Sequence, residues 1–307
     1  MKFRKTLKLG IAAAAICVVS GNGYGQERQM PMTVHPIKEG KLYWVEGPSG
    51  GNSGVIIGDT GVVVIDVKTT PEAGAQLVAA IAKLTPKPIT HVIETHSDGD
   101  HIGGIVSFPQ DIKIIGHINN KNEQRAVLAY ATPIPGGGKC APDPDRLPNM
   151  LIYKDKVSAT LDGEHFVFHY FGPSHTNGDL IVELPDYKLA FTGDIITTTA
   201  PIHPEKSGSL AGWFHTAQQL LAMNVTTYVG GHASTTDTKD SLRSKVAERQ
   251  VVRDKIDALV AQGKTESDIK TMFGKEAAAT VGCSGVPRPS QIMEEYNEKT
   301  DKAQEIK

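Results

Sequence analysis

The sequence predicts an α/β protein in which two β-sheets pack face to face with helices on their outer surfaces. Three observations carry this. Val/Ile-rich runs cluster in two halves on either side of a Pro/Gly-rich stretch; each half also supplies amphipathic segments; and the first half contains a strand–helix–strand unit.

The elements follow in order. Lys41 to Val45 reads as a strand. Val55-Ile57 and Val62-Ile65 flank Gly58-Asp59-Thr60-Gly61, a β-hairpin signature, with Asn52 and Asp59 as turn residues. Thr70 caps a helix with Pro71 at its first position and Glu72 in its first turn. Leu77, Val78, Ile81 and Leu84 give that helix a buried face, and Pro86 and Pro88 stop it. Ile89 to Ile93 is a strand running into a histidine-rich loop, and open α/β sheets place sites past such strand ends. A strand at Ile112 to Ile115 and a helix near Asn122 to Tyr130 follow. The Pro/Gly-rich stretch from Pro133 to Pro148 reads as a lid or rim loop. The second half holds strands at Val157-Leu161, Phe166-Tyr170, Leu180-Leu184, Leu189-Thr192 and Thr226-Val229, with an Asp162-Gly163 turn and a helix from Ser209 to Met223. From Asp237 onward the chain is helical, with a further short helix from Glu266 to Phe273 behind a Thr265 cap.

The N-terminus has the pattern of a secretion signal. Lys2, Arg4, Lys5 and Lys8 precede an apolar run from Leu9 to Val19, and small residues end at Gly25. The run falls short of the ~20 apolar residues a bilayer span needs, and no later run is apolar enough. The expected division is a signal at 1–25, a catalytic domain at 26–236 and a helical extension at 237–307, with a periplasmic or secreted destination. Removing residues 1–25 leaves 28 basic and 34 acidic residues, a net charge of −6. Without a basic patch interleaved with aromatics, this argues for a small-molecule substrate and against nucleic acid. Cys17 lies in the signal; Cys140 and Cys283 sit in Gly/Pro-rich stretches and are open between a disulfide and two thiols.

The chemistry concentrates at Thr95-His96-Ser97-Asp98-Gly99-Asp100-His101-Ile102-Gly103-Gly104. Imidazole and carboxylate are the ligands of catalytic divalent metals. In extended chain, alternate side chains share a side, so His96, Asp98 and Asp100 would converge. His101 turns inward if a helix starts there, and Gly103-Gly104 permit close approach of that helix.

This run resembles the His-x-His-x-Asp-His loop of the metallo-β-lactamase superfamily. Three further pieces resemble that family's motifs in order: Gly172-Pro173-Ser174-His175-Thr176-Asn177-Gly178-Asp179, Phe191-Thr192-Gly193-Asp194 and Gly230-Gly231-His232. The resemblance spans about Gly40 to Ser234 and implies a four-layer αββα sandwich. It also implies a metal-dependent hydrolase with two divalent ions, zinc first, with manganese or iron open. His96, Asp98 and His175 would hold one ion; Asp100, His101 and His232 the other; Asp194 would bridge them. Asp100 would orient the nucleophile and shuttle its proton.

Asp98 is the departure, standing where the family has its second histidine. It adds an anionic oxygen, makes that ion less Lewis-acidic and tilts preference toward harder metals. Asp194 favours small esters, thioesters, lactones or amides as substrates, with β-lactams second, because β-lactam-hydrolysing branches typically carry Cys or Ser there. A di-iron redox protein or a non-catalytic metal-binding protein is the alternative from another class. His203 is a candidate substrate contact, and Asp66 a candidate orienter of a ligand histidine. His91, His117, His165, His169 and His215 read as structural, and Trp213 and Phe214 as core.

Overall fold

The first sheet begins with a meander. β1 (Thr33–Lys38), β2 (Leu42–Glu46), β3 (Ser53–Ile57) and β4 (Val62–Ile65) pair antiparallel in sequence order. A computed structural model describes residues 31–130, 142–196, 202–203, 206–281 and 287–300. The signal reading, Cys17, Cys140, Cys283 and most of the Pro/Gly-rich stretch lie outside them.

After β4 the chain crosses through α1 (Pro71–Leu84) and returns parallel as β5 (Ile89–Ile93). Thr70 caps α1 as expected, its side chain accepting from the Ala73 amide. β6 (Lys113–His117) and β7 (Met150–Ile152) extend the sheet in parallel, with α3 (Ile118–Tyr130) between them; the short α2 (Gly99–Ile102) lies in the loop after β5. Along β4, Val63 and Ile65 face one side while Val62 and Val64 face the other. Both faces are buried, so the strand reads as a continuous apolar run.

The second sheet runs β12-β11-β10-β9-β8: β8 (Lys156–Leu161), β9 (Glu164–His169), β10 (Ile181–Leu184), β11 (Leu189–Phe191) and β12 (Thr227–Val229). Its pairs are antiparallel except β11 with β12. The β8–β9 turn uses Asp162 and Gly163, both at positive φ, as a two-residue hairpin demands.

Phe166, Phe168, Val182 and Phe191 of the second sheet meet Leu42, Ile56, Ile65 and Ile93 of the first to form the central core. Each such side chain contributes roughly 1.5–3 kcal/mol by burial. Leu77 and Ile81 of α1 cover the outer face of the first sheet. Trp213, Ala217 and Leu220 of α4 (Leu210–Ala222), with Leu242 of α5 (Lys239–Ala261), cover the outer face of the second. The result is the four-layer αββα arrangement, with Trp213 and Phe214 in the core as expected.

Beyond the sandwich, α5, α6 (Glu266–Phe273) and α7 (Gln291–Lys299) share their own apolar cluster of Ile256, Ile269, Ile292, Met293 and Tyr296. The sequence pattern gave α5 and α6 but neither β1 nor α7. β1 is held by its hairpin pairing to β2, and α7 by packing on α5 and α6, more than by their own periodicity.

Candidate metal centre

Every motif loop leaves the C-terminal end of a strand. β4 delivers Asp66, β5 delivers the run 96–101, the β9–β10 connection carries His175, β11 leads to Asp194 and β12 to His232. The parallel pairs β4–β5 and β11–β12 put neighbouring strand ends side by side, so both sheets deposit ligand-type side chains at one rim.

Extended alternation ends with β5, and the run 96–101 converges through a bend and a short helix instead. Residues 95–97 already bend, Asp98 alone is extended, and Asp100 and His101 belong to α2, whose N-cap is Asp98. The helix turns His101 inward, and Gly103-Gly104 make this possible: a Cβ on Gly104 would lie 2.0 Å from the Val67 carbonyl.

Three overlapping sets result, each with ligand atoms within 4.8 Å of one another: His96, Asp98 and His175; His96, His101 and Asp194; Asp100, His101 and His232. Asp194 joins them, with Oδ1 3.2 Å from His101 Nε2 and Oδ2 3.2 Å from His232 Nε2 and 3.8 Å from His175 Nε2. Asp100 Oδ2 lies 3.1 Å from His232 Nε2. The structure therefore brings together all seven residues that the motifs single out.

These groups fit a cation. His96 Nε2 and His175 Nε2 are buried, aimed into the centre and make no hydrogen bond, while buried Asp194 Oδ1 faces the His101 ring at 3.2 Å. Burying ring nitrogens without a hydrogen bond is costly, and a bound cation would satisfy both. Burial, then the neighbouring His101, holds the His96 ring well below its ordinary pKa, the neutral state a ligand requires. Burial alone would raise the Asp194 carboxyl, but His101 and His232 outweigh it and hold Asp194 well below the usual range. The Asp194 charge in turn pushes His232 up to about 10. His101 is likewise held well above its ordinary value: burial opposes this, and the Asp194 and Asp66 carboxylates prevail. Asp100 and His232, at 28% and 37% side-chain exposure, are the open side of an otherwise closed site.

Asp66 orients two of the rings, as the sequence suggested for one. Its Oδ2 lies 2.7 Å from His101 Nδ1 and accepts from Thr95 Oγ1 at 2.7 Å. Thr95 Oγ1 is in turn 2.9 Å from His96 Nδ1. A carboxylate at the end of this chain favours a proton on both Nδ1 atoms and leaves both Nε2 atoms facing the centre, where a metal would displace the second proton that His101 holds.

His203, expected at the substrate, sits instead behind Asp98. It is fully buried, with Nε2 3.0 Å from Asp98 Oδ2, because its amide is tied to the His175 carbonyl. Asn52, read as a turn residue, donates from Nδ2 to the Gly230 and Ala233 carbonyls and so holds the His232 loop. Lys206 carries no local sequence signal, yet its ammonium pairs with Asp98 and lies 3.2 Å from Ser97 Oγ. Glu123 of α3 accepts from Ser97 Oγ and from the Asn177 amide, joining two motif loops.

The family model for the metallo-beta-lactamase superfamily matches residues 47–232. The alpha subunit of 2,4-dinitroanisole O-demethylase from Nocardioides sp. is 25% identical, over 74% of this chain and 67% of its own. An (R)-specific secondary-alkylsulfatase from Pseudomonas sp. is 28% identical over 50% of this chain and 28% of its own. Among solved structures, a stereoselective inverting sec-alkylsulfatase from Pseudomonas sp. superposes with a TM-score of 0.61 at 21% identity, covering 87% of this chain and 50% of that one. A metallo-beta-lactamase from Pontibacter korlensis gives 0.55 at 17% identity, covering 71% and 98%. The chain thus spans about half the length of the sulfatase structure and nearly all of the lactamase. Its motif loops meet at one rim of a four-layer sandwich, the superfamily's own model runs through all of them, and on both counts the chain belongs to the metallo-beta-lactamase superfamily.

Proposed function

We propose that the chain is an exported metal-dependent hydrolase acting on a small ester, thioester, lactone or amide. The observation that carries this is the three overlapping sets of ligand-type side chains at one rim, in which the buried His96 and His175 Nε2 atoms make no hydrogen bond. In this reading His96, Asp98 and His175 hold one divalent ion, Asp100, His101 and His232 a second, and Asp194 lies between them. Zinc is the first choice, with manganese and iron open because carboxylates make up three of the seven ligands. When bound, such ions lower the pKa of a water and stabilise the oxyanion that develops on the substrate.

The remaining work falls to the protein. Asp66 and Thr95 fix the tautomers of His101 and His96. Asp100, the most exposed of the three carboxylates, orients the attacking water and takes its proton at Oδ2. Asp194 keeps its negative charge between the two positions. The substrate enters from the Asp100 and His232 side. The alkylsulfatase and O-demethylase relatives extend the ester class to sulfate esters and activated aryl ethers. Residues 26–236 form the catalytic domain, and 237–307 a helical extension whose α7 bonds to the His203 loop. No helix among the described residues is long and apolar enough to cross a membrane.

The test combines metal content with a substrate panel: an aryl ester, a thioester, a lactone, an alkyl sulfate, dinitroanisole and a cephalosporin, each with the parent and Asp194→Asn. Near two metal equivalents, with turnover of one class that Asp194→Asn abolishes, is the expected result. Metal without any turnover would mean a metal-binding protein instead, and turnover of the cephalosporin alone would favour the β-lactamase alternative. Sequencing the N-terminus of the extracytoplasmic protein checks export; an intact residue 1 in the cytoplasm would refute it.

A further inference from the structure

Asp98 departs from the superfamily pattern, and it is tied to a cation of the protein itself. Its Oδ1 accepts from the Lys206 ammonium, and its Oδ2 lies 3.0 Å from His203 Nε2 and 3.4 Å from His175 Nε2. Burial alone would raise the Asp98 carboxyl, but Lys206 and then His203 hold it well below the usual range.

The segment carrying these partners is fastened on several sides. The His203 amide donates to the His175 carbonyl at 2.8 Å, and the Lys206 and Gly208 amides donate to the His203 carbonyl. The Asn177 amide donates to the Lys206 carbonyl at 3.0 Å. The Ile202 amide donates to Glu294 of α7, which Arg249 of α5 holds at 3.0 Å. Lys206 is therefore a built-in neighbour of Asp98. Among the described residues, no lysine or arginine pairs with Asp100.

We infer that Lys206 and His203 make the two metal positions unequal: the position at Asp100, His101 and His232 fills first, and the one at His96, Asp98 and His175 is weak and exchangeable. This rests on the two-ion reading above. A carboxylate already neutralised by an ammonium has less charge to offer a metal, and an incoming ion also meets the ammonium at short range. The Asp-for-His exchange and Lys206 thus act as one device. The carboxylate would bind a divalent ion more strongly than a histidine on charge alone, and the lysine cancels that gain.

The experiment titrates cobalt(II) and zinc(II) into chelator-stripped full-length protein, read by calorimetry and by cobalt visible absorption. Four chains are compared: parent, Lys206→Met, Lys206→Arg and Asp98→Asn. The parent should show two steps at least about tenfold apart. Asp98→Asn should lose only the weaker one. Lys206→Met should tighten the weaker step by about ten- to a hundredfold, the usual scale for groups behind a ligand, and Lys206→Arg should leave it unchanged. Two equal steps in the parent, or a weaker step that Lys206→Met does not tighten, would overturn the inference. If Lys206→Met fails to fold, the parent's separation and its loss in Asp98→Asn decide the matter. No binding in any of the four would bring down the two-ion reading itself, and the inference with it.

Discussion

Asp66 offers a sharp test, because one buried carboxylate sets the state of two rings. It sits at φ +55°, is 1% exposed, accepts from the Thr95 amide at 2.9 Å and from Thr95 Oγ1, and pairs with His101 Nδ1 at 2.7 Å. Asp66→Asn keeps the shape and tolerates the left-handed backbone. It can still accept from the Thr95 amide, but it turns an NH2 group toward the His101–Thr95 side. That reverses the proton on His101, moving it to Nε2 where a metal should bind. The structural cost is about 1–2 kcal/mol, one hydrogen bond to a charged group replaced by a poorer one. Metal affinity should fall ten- to a hundredfold. Asp66→Ala also strands the buried Thr95 amide and adds left-handed strain, for about 2–4 kcal/mol in all. Urea unfolding of the metal-free proteins and competition titration with a zinc chelator separate the two effects. An Asp66→Asn protein that binds zinc as tightly as the parent would refute the tautomer argument, whatever its stability.

Four further outcomes follow from the structure. Chelation should lower the melting temperature and added zinc restore it, since saturation at 1,000 times Kd stabilises by about 4 kcal/mol. Gly51→Ala should weaken metal binding and cost about 1–3 kcal/mol in a thermal melt, because its Cβ would lie 2.2 Å from His101 Cε1. Glu294→Ala should cost about 3–5 kcal/mol in urea unfolding by stranding buried Arg249, and Glu294→Gln less, as it still accepts from the Ile202 amide. Lys68 is fully buried, its ammonium donating to the Val45 and Gly51 carbonyls, and burial lowers its pKa to about 7. Between pH 7 and about 10 the unfolded chain holds a proton at Lys68 that the folded chain has shed, so this residue's contribution makes stability rise with pH, by up to about 1.4 kcal/mol per unit. Lys68→Met should remove that slope in urea unfolding at pH 7, 8 and 9; an unchanged slope would assign it elsewhere.

The parts of this molecule that announce themselves are those with dense local signals. The run from His96 to His101 packs four ligand-type residues into six positions, and the capped α1 and the β5 strand show in their own periodicity. His175, Asp194 and His232 were legible only because short motifs surround them. Lys206 has no such surroundings. Its role depends on His203, Lys206 and Ser209 lying against the His175 loop, and only the assembled sandwich shows that. His203 stands near a motif in the sequence, but only the fold shows it buried with its ring against Asp98, since a loop's direction is not written in its residue types. Asn52 failed similarly: its amide reaches a carbonyl 178 positions away. β1 lacks a clean alternation, with exposed or half-buried residues throughout, so its pairing to β2 is what makes it a strand.

The residues that could hold a metal are drawn from both sheets: the 96–101 run from the first, His175, Asp194 and His232 from the second. An ion seated among them would be a further cross-link between two halves of the sandwich that already meet through apolar packing, loop hydrogen bonds and ion pairs such as Lys41–Glu164, His91–Asp162 and Lys206–Asp98. Such a link forms only after the sheets have docked, so it should slow their separation and leave the rate of docking nearly untouched. The centre that carries the chemistry would then also set the lifetime of the folded protein, a kinetic form of durability.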